Sequence, residues 1–528
     1  MTDQLHYLAA RVAVGRMSRR AFFGRAAALG LTAAGANLLL SSAVQAAGPQ
    51  MGGTIRMGIQ GGSTSDSLDP ALGTNTVSLA LLRMWGEPLL GLAPHGGLEP
   101  TLATEYWSSP DAKVWTFKIR TDAQFSNGKN VTADDVLQTM LRHSDENTKS
   151  GALGVMRGIT NMRTEGDDTF IVELDDANAD LPYLMTDWHL IIQPNGGRDA
   201  PDAAIGTGPY ILKSVDMGVR FVAEKNPNYW GDMGYADTIE LVVINDNTAR
   251  VAALQSGQVD MIDRVPPQTA GLIGRAPGIT VHSTTGPGHY VFIAHCDAAP
   301  FDNNDLRLAL KYGIDRQEMV DKILAGYGSI GNDTPINAYY PLYTELPQRE
   351  YDPDKAAFHY KKSGFDGPIL LRTSENSFPG APDASALFQQ SLAKANIPLE
   401  IKREPNDGYW SEVWNVKPFC TSYWGGRSTQ DQMYSTAYLS TADWNDTRFN
   451  DPKFDQMLIA ARAELDEEKR KVMYADMGMI LNETGGLVCP MFNDFLGATS
   501  DRVAGWVDGV RGYDLMNMYG PMKMWVAA

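Results

Sequence analysis

Trp115-Thr116-Phe117-Lys118-Ile119-Arg120 places Trp115, Phe117 and Ile119 on one face of an extended chain and polar residues on the other, the period of a half-buried strand. Twelve residues on, Thr132-Ala133-Asp134-Asp135-Val136 changes the period. The Thr132 hydroxyl is positioned to accept from backbone donors, and Asp135 stands near the positive helix end, so a helix starts there. Val136 and Met140 share one face of that helix, with Leu137 and Leu141 beside them.

The same alternation of elements runs outward in both directions. Thr54-Ile55-Arg56-Met57-Gly58-Ile59 reads as a strand, followed by the polar loop Gly61-Gly62-Ser63-Thr64-Ser65 and a helix over Thr76–Trp85. Thr238–Ile244 reads as a buried strand and Thr248–Ser256 as a helix stopped at Gly257. Helical patterns recur at Asp305–Tyr312, Arg316–Ala325, Asp354–Ser363, Ala384–Ala395, Lys453–Leu465 and Glu467–Glu483. Nothing repeats at a fixed period, which excludes a solenoid or propeller. The fold class is therefore α/β or α+β.

At the N-terminus, Ser18-Arg19-Arg20-Ala21-Phe22-Phe23 matches a twin-arginine export motif, with Phe23 where Leu is commoner. A mildly apolar stretch from Ala26 to Leu40 and small residues at Val44-Gln45-Ala46 complete a removable signal over residues 1–46. About fifteen weakly apolar residues are too few for a membrane span, which needs roughly twenty. Residues 1–46 carry five Arg and one Asp; taking that net +4 from the formal −18 leaves −22 on the remainder. So acidic a surface argues against nucleic acid, whose phosphates it repels. The mature chain is expected to be soluble, periplasmic and monomeric.

The motifs of catalysis are absent: no GxxxxGK[ST] loop, no HExxH, no GxSxG. Gly326-Tyr327-Gly328-Ser329-Ile330-Gly331 matches GxGxxG literally. A helical pattern precedes it and Asn332-Asp333-Thr334-Pro335 follows, the reverse of a dinucleotide site, so it reads as a loop. His289, His295 and Cys296 lack the further ligands a metal needs. Cys296, Cys420 and Cys489 read as small buried residues, with room for one disulfide. No cofactor, metal or enzymatic activity is expected.

An ordered series of segments resembles the extracellular solute-binding proteins of peptide-type ABC importers, family 5. It runs through Leu68-Asp69-Pro70, Gly86-Glu87-Pro88-Leu89-Leu90, Trp115-Thr116-Phe117, Phe125-Ser126-Asn127-Gly128-Lys129 and Thr132–Val136. It continues with Gly206-Thr207-Gly208-Pro209-Tyr210, Asn228-Tyr229-Trp230 and Ala253–Asp260. It ends with Leu306–Leu310, Ile314-Asp315-Arg316 and Tyr351–Ala356. Each piece is weak alone, but their order over the mature chain is specific.

The resemblance implies a two-lobed periplasmic-binding-protein fold with a hinge and a central ligand cleft. Residues 47–290 plus 495–528 would form lobe I and 291–494 lobe II, with crossings near His289–Phe301 and Pro490–Gly497. The implied partners are a small-molecule or peptide ligand and a membrane permease. In peptide-binding relatives a Trp followed three residues later by Asp anchors the peptide amino terminus; here Trp424-Gly425-Gly426-Arg427 puts Arg427 in the place of that Asp. Arginine pairs with carboxylate or phosphate instead.

Asp431 then orients Arg427 or meets a cationic part of the ligand, and Glu375 falls where dipeptide-binding relatives carry an Arg. Together these imply a cleft with its charges exchanged. Tyr409, Tyr423 and Trp424 form an aromatic neighbourhood around it, and Ser63 is a lobe I contributor. A receptor for a metal chelate, an opine-like acidic conjugate or an oligosaccharide is the alternative within binding proteins, and an exported enzyme is the alternative outside them.

Overall fold

A computed structural model describes residues 2–13, 17–32, 35–36, 39, 43, 48–94 and 96–527. The expected cleavage site Val44–Ala46 lies outside the described residues. The strand and helix quoted first are both present, at Val114–Ile119 and Ala133–Ser144. Thr132 Oγ1 accepts from the Asp135 amide while Asp135 Oδ2 accepts from the Thr132 amide, a reciprocal cap.

Among the described residues an 11-stranded sheet runs through the molecule. At one end, Thr54–Ile59 pairs in parallel with Thr238–Val243 and with Met261–Ile262. At the other, Ile369–Thr373 pairs in parallel with Leu399–Arg403 and leads to Phe419–Trp424. Two long antiparallel strands, Ile279–Ala294 and Leu487–Ser500, join the two ends. Their register slips between Thr285 and His289, at Gly286-Pro287-Gly288. A separate antiparallel sheet is built from Ala103–Ser108, Val114–Ile119, Thr169–Leu174 and Ile159–Glu165.

The buried apolar residues form distinct cores, which is why the fold is two-lobed. Ile55, Met57, Trp85 and Leu241 centre one core, and the C-terminal Met516, Met522 and Met524 return to it. Phe117, Val136, Phe170 and Leu190 form a second core under the four-stranded sheet. Beyond the crossing strands, Phe292, Leu310, Leu371 and Phe388 make a third, and Trp424, Tyr434, Tyr474 and Leu481 a fourth.

Two expectations are corrected here. Gly328–Ile330, read as loop, is a short strand paired with Met491–Asn493. Its glycine serves close backbone approach, since a Cβ on Gly328 would lie 2.4 Å from the Phe492 carbonyl oxygen. Cys296, Cys420 and Cys489 are all free thiols, so the one disulfide allowed for does not form. No helix among the described residues is long and apolar enough to cross a membrane.

Candidate functional site

Strand Phe419–Trp424 is held in register by the crossing strand, with Trp424 opposite His289 and Tyr423 opposite Tyr290. Gly425 and Gly426 then turn the chain. Gly426 has φ +78°, and a Cβ there would lie 2.2 Å from Pro287 Cβ, so the turn is seated directly on the slipped segment of the crossing strand. Thr429 caps the next helix, Gln430–Ala437, through its side chain and the Gln432 amide. Arg427 is thereby fixed between a strand end and a helix start.

The Arg427 amide donates to the Tyr340 hydroxyl at 3.1 Å, and Nη1 donates to the Gly426 carbonyl at 2.7 Å. The guanidinium carbon sits 5.6 Å from the Trp424 ring centroid and 6.0 Å from that of Trp444. Among the described residues no carboxylate pairs with it. Burial works against its charge and lowers its pKa, opposed by the Tyr340 and Tyr513 hydroxyls.

Two cavities meet at this residue, one of about 700 Å³ and one of about 210 Å³. Arg427, Gln432 and Asp187 line both. Asp187 and Trp188 come from the segment beside the four-stranded sheet, whereas Arg427 and Gln432 come from beyond the crossing strands, so the space lies between these two parts of the chain. Asp187 Oδ1 lies 2.6 Å from His189 Nδ1 and accepts from the His189 amide at 2.9 Å. Burial lowers the His189 pKa, but its hydrogen bond to Asp187 and the charge of that carboxylate outweigh it, and the net shift is upward.

The structure brings some of the expected residues together and sends others elsewhere. Trp424 is 5 % exposed and lies under Arg427, its Nε1 donating to Asp446 Oδ2 at 3.2 Å. Asp431 does not orient Arg427: it pairs with Arg462 at 3.1 Å, and burial raises its pKa to about 6 against the pull of that guanidinium. Tyr409 is 1 % exposed and donates to the Thr421 carbonyl at 2.8 Å in a small core with Val413 and Cys420, which makes it a packing residue.

Tyr423, 50 % exposed, stacks edge-on against Trp410 and lines neither cavity. Glu375 is exposed and also lines neither cavity, so no exchanged partner for Arg427 stands there. Ser63 is exposed and its hydroxyl faces that of Ser65 at 3.0 Å, away from both cavities. His289 is buried against the Pro287 carbonyl, burial lowering its pKa to about 4, and no group of metal ligands occurs among the described residues.

Sequence reasoning missed Arg83, Asp187, Trp188 and Tyr513. For Arg83 a signal was present: it is the single charge in Thr76–Trp85, a helix whose every residue is buried.

Two lobes joined by crossing strands, with a partly polar cavity between them, define a solute-binding protein. Residues 97–446 match the profile of Bacterial extracellular solute-binding proteins, family 5 Middle, and the chain belongs to that family. It is similar to the periplasmic oligopeptide-binding protein OppA of Haemophilus influenzae, 26 % identical over 86 % of this chain and 92 % of OppA. It is also similar to the glutathione-binding protein GsiB of Salmonella typhimurium, 24 % identical over 84 % of this chain and 91 % of GsiB. The structure of AgaA from A. tumefaciens R10 with agropinic acid shares the fold, with TM-score 0.71 and 23 % identity over 90 % of this chain and 99 % of AgaA.

Proposed function

We propose that this chain captures an acidic, peptide-like solute outside the cytoplasmic membrane and hands it to an ATP-driven importer. The observation that carries this reading is Arg427. It is a guanidinium without a carboxylate partner among the described residues, set where two interlobe cavities meet. A ligand carboxylate offers it two parallel charge-assisted hydrogen bonds, stronger than neutral ones. Asp187 Oδ2, which accepts no hydrogen bond among the described residues, is placed to receive a ligand ammonium in the same space. The relatives named for oligopeptide and glutathione, and a fold neighbour holding agropinic acid, are in keeping with such a ligand.

Residues 47–290 plus 495–528 serve as lobe I and 291–494 as lobe II. The register slip at Gly286-Pro287-Gly288 supports a hinge there, because an irregular segment bends more readily than a continuous ladder. Export follows the twin-arginine route and the receptor acts as a monomer.

The test is calorimetric titration of Arg427→Ala with ligands that bind the unmodified protein, starting from acidic dipeptides, glutathione and opine-like acids. Loss of one charge-assisted contact is expected to weaken binding about 10- to 100-fold. Unchanged affinity would overturn the role of Arg427.

A further inference from the structure

Arg427 has a counterpart on the facing wall. We propose that the cleft selects ligands with two carboxylates, one held by Arg427 and the other by Arg83. This rests on the reading of Arg427 above and adds a second contact and a ligand class.

Arg83 lies in the helix Thr76–Trp85, is 5 % exposed, and borders the same 210 Å³ cavity as Arg427. Its guanidinium carbon lies 4.5 Å from the Tyr519 ring centroid, and Nη1 donates to the Tyr519 hydroxyl at 2.5 Å. Its Nε is buried with no hydrogen-bond partner among the described residues. Among the described residues no carboxylate pairs with it, and Nη2 donates to none of them.

The acid best placed in sequence to neutralise Arg83 is committed elsewhere. Glu87, four residues further on and just past the end of the helix, accepts from Thr207 Oγ1 at 2.8 Å, Trp230 Nε1 at 2.8 Å and the Tyr229 hydroxyl at 3.1 Å. Among the described residues Asp187 is the one carboxylate bordering the 210 Å³ cavity, and its Oδ1 is engaged by His189.

Two guanidinium groups from opposite lobes thus face one small cavity that holds a single, already engaged carboxylate. A buried charge without a partner is strongly destabilising. As the lobes close and water leaves, the two like charges approach in a lower dielectric and oppose closure. A ligand with one carboxylate relieves one of them. A ligand with two relieves both and lets the lobes seal. An amine on the same ligand has the free oxygen of Asp187, so an amino acid conjugate or short peptide with two carboxylates matches all three charges.

The experiment measures binding of Ala-Glu, γ-Glu-Ala and glutathione, each against a counterpart with one carboxylate masked: Ala-Gln, γ-Glu-Ala amide and glutathione monoethyl ester. With the unmodified protein at least one diacid is expected to bind about 10- to 100-fold more tightly than its masked form, the worth of one charge-assisted contact. Arg83→Gln should bring that ratio close to one, and Arg83→Lys, which keeps the charge but not the fork, should restore part of it. Arg427→Ala should weaken diacid and masked ligand alike.

A ratio near one in the unmodified protein, or no binding of any diacid, overturns the two-carboxylate proposal without reference to any variant. A ratio that survives Arg83→Gln overturns the role of Arg83 while leaving Arg427 standing. Weakening by Arg83→Gln with none by Arg427→Ala overturns the Arg427 reading instead.

Discussion

Asp180 and Arg470, 290 positions apart in the chain, meet as a buried ion pair. Asp180 precedes the short helix Leu181–Leu184 beside the four-stranded sheet, while Arg470 belongs to the helix Glu467–Thr484 on the other side of the cleft. Arg470 also donates to the Tyr474 hydroxyl at 3.1 Å. Next to this pair the Ala179 amide donates to the Arg462 carbonyl at 2.8 Å, and Arg462 holds Asp431. The rim of the large cavity is therefore tied by contacts that no ligand supplies.

Breaking that tie on one side should be costly. Asp180→Asn leaves the buried Arg470 guanidinium without its directly paired carboxylate, and removal of one member of a buried pair is worth about 3–5 kcal/mol. Denaturant unfolding of Asp180→Asn should show a loss in that range. The double variant Asp180→Asn/Arg470→Met should recover a substantial part of it, because the orphaned charge is gone. If the double variant is as unstable as the sum of the singles, the two residues are not coupled.

Asp446 gives a pH signature. It is fully buried and accepts from Trp414 Nε1 at 2.9 Å and Trp424 Nε1 at 3.2 Å. Burial raises its pKa to about 7, and the two indole hydrogen bonds oppose the rise. A raised folded pKa means the native state holds a proton that the unfolded chain has released. The stability from this group is complete below pH 4 and is lost as pH rises through 7. The slope approaches about 1.4 kcal/mol per pH unit for one proton. Asp446→Asn removes it, so the stability of the parent relative to the variant should fall steadily from pH 4.5 to about 7 in urea unfolding. A relative stability constant over that range would show that Asp446 does not titrate there.

The regular elements were legible in the sequence because they are set by local periodicity and caps: Trp115, Phe117 and Ile119 alternate, and Thr132 with Asp135 closes a cap. What escaped was every relationship fixed by distant chain. Nothing near Asp431 announces that Arg462 will neutralise it, and nothing near Tyr409 announces that Thr421 will take its hydroxyl. Composition gathers Tyr409, Tyr423 and Trp424 into one aromatic group. The strand sends Tyr423 outward and Trp424 inward because successive side chains take opposite faces. Arg427 alone was placed by its sequence neighbours, since the glycines before it and Thr429 after it fix a strand-to-helix turn wherever the strand lies.

The three thiols allow a direct check of the redox state. Burial raises the pKa of Cys296, Cys420 and Cys489, with Cys420 reaching about 12. Thiolate is scarce at neutral pH, so these groups react slowly. Dithiothreitol should leave the melting temperature unchanged. A thiol reagent should titrate three cysteines in the unfolded protein and at most Cys296 quickly in the native one, since Cys420 and Cys489 are buried. A melting temperature that falls on reduction would mean a disulfide exists.

Two adjacent glycines in front of Arg427 should answer oppositely to the same change. A Cβ on Gly425 meets no protein atom within 4 Å, so Gly425→Ala should leave the turn and the Arg427–Tyr340 contact as they are, although the residue borders the 210 Å³ cavity. A Cβ on Gly426 would lie 2.2 Å from Pro287 Cβ, and its φ of +78° is one that alanine adopts only with strain. Pro287 cannot retreat freely, because it sits where the register of the crossing strands slips and where its carbonyl accepts from His289 Nδ1 at 2.9 Å. The turn must lift instead, carrying Arg427 off the Tyr340 hydroxyl and out of line with the cleft. Gly426→Ala should therefore weaken binding of an acidic ligand by about tenfold or more, because a charge-assisted contact of roughly 1.5–3 kcal/mol is displaced. Its circular dichroism spectrum should stay that of the parent. An affinity of Gly426→Ala equal to that of the parent would mean that the seating of this turn on Pro287 does not position Arg427.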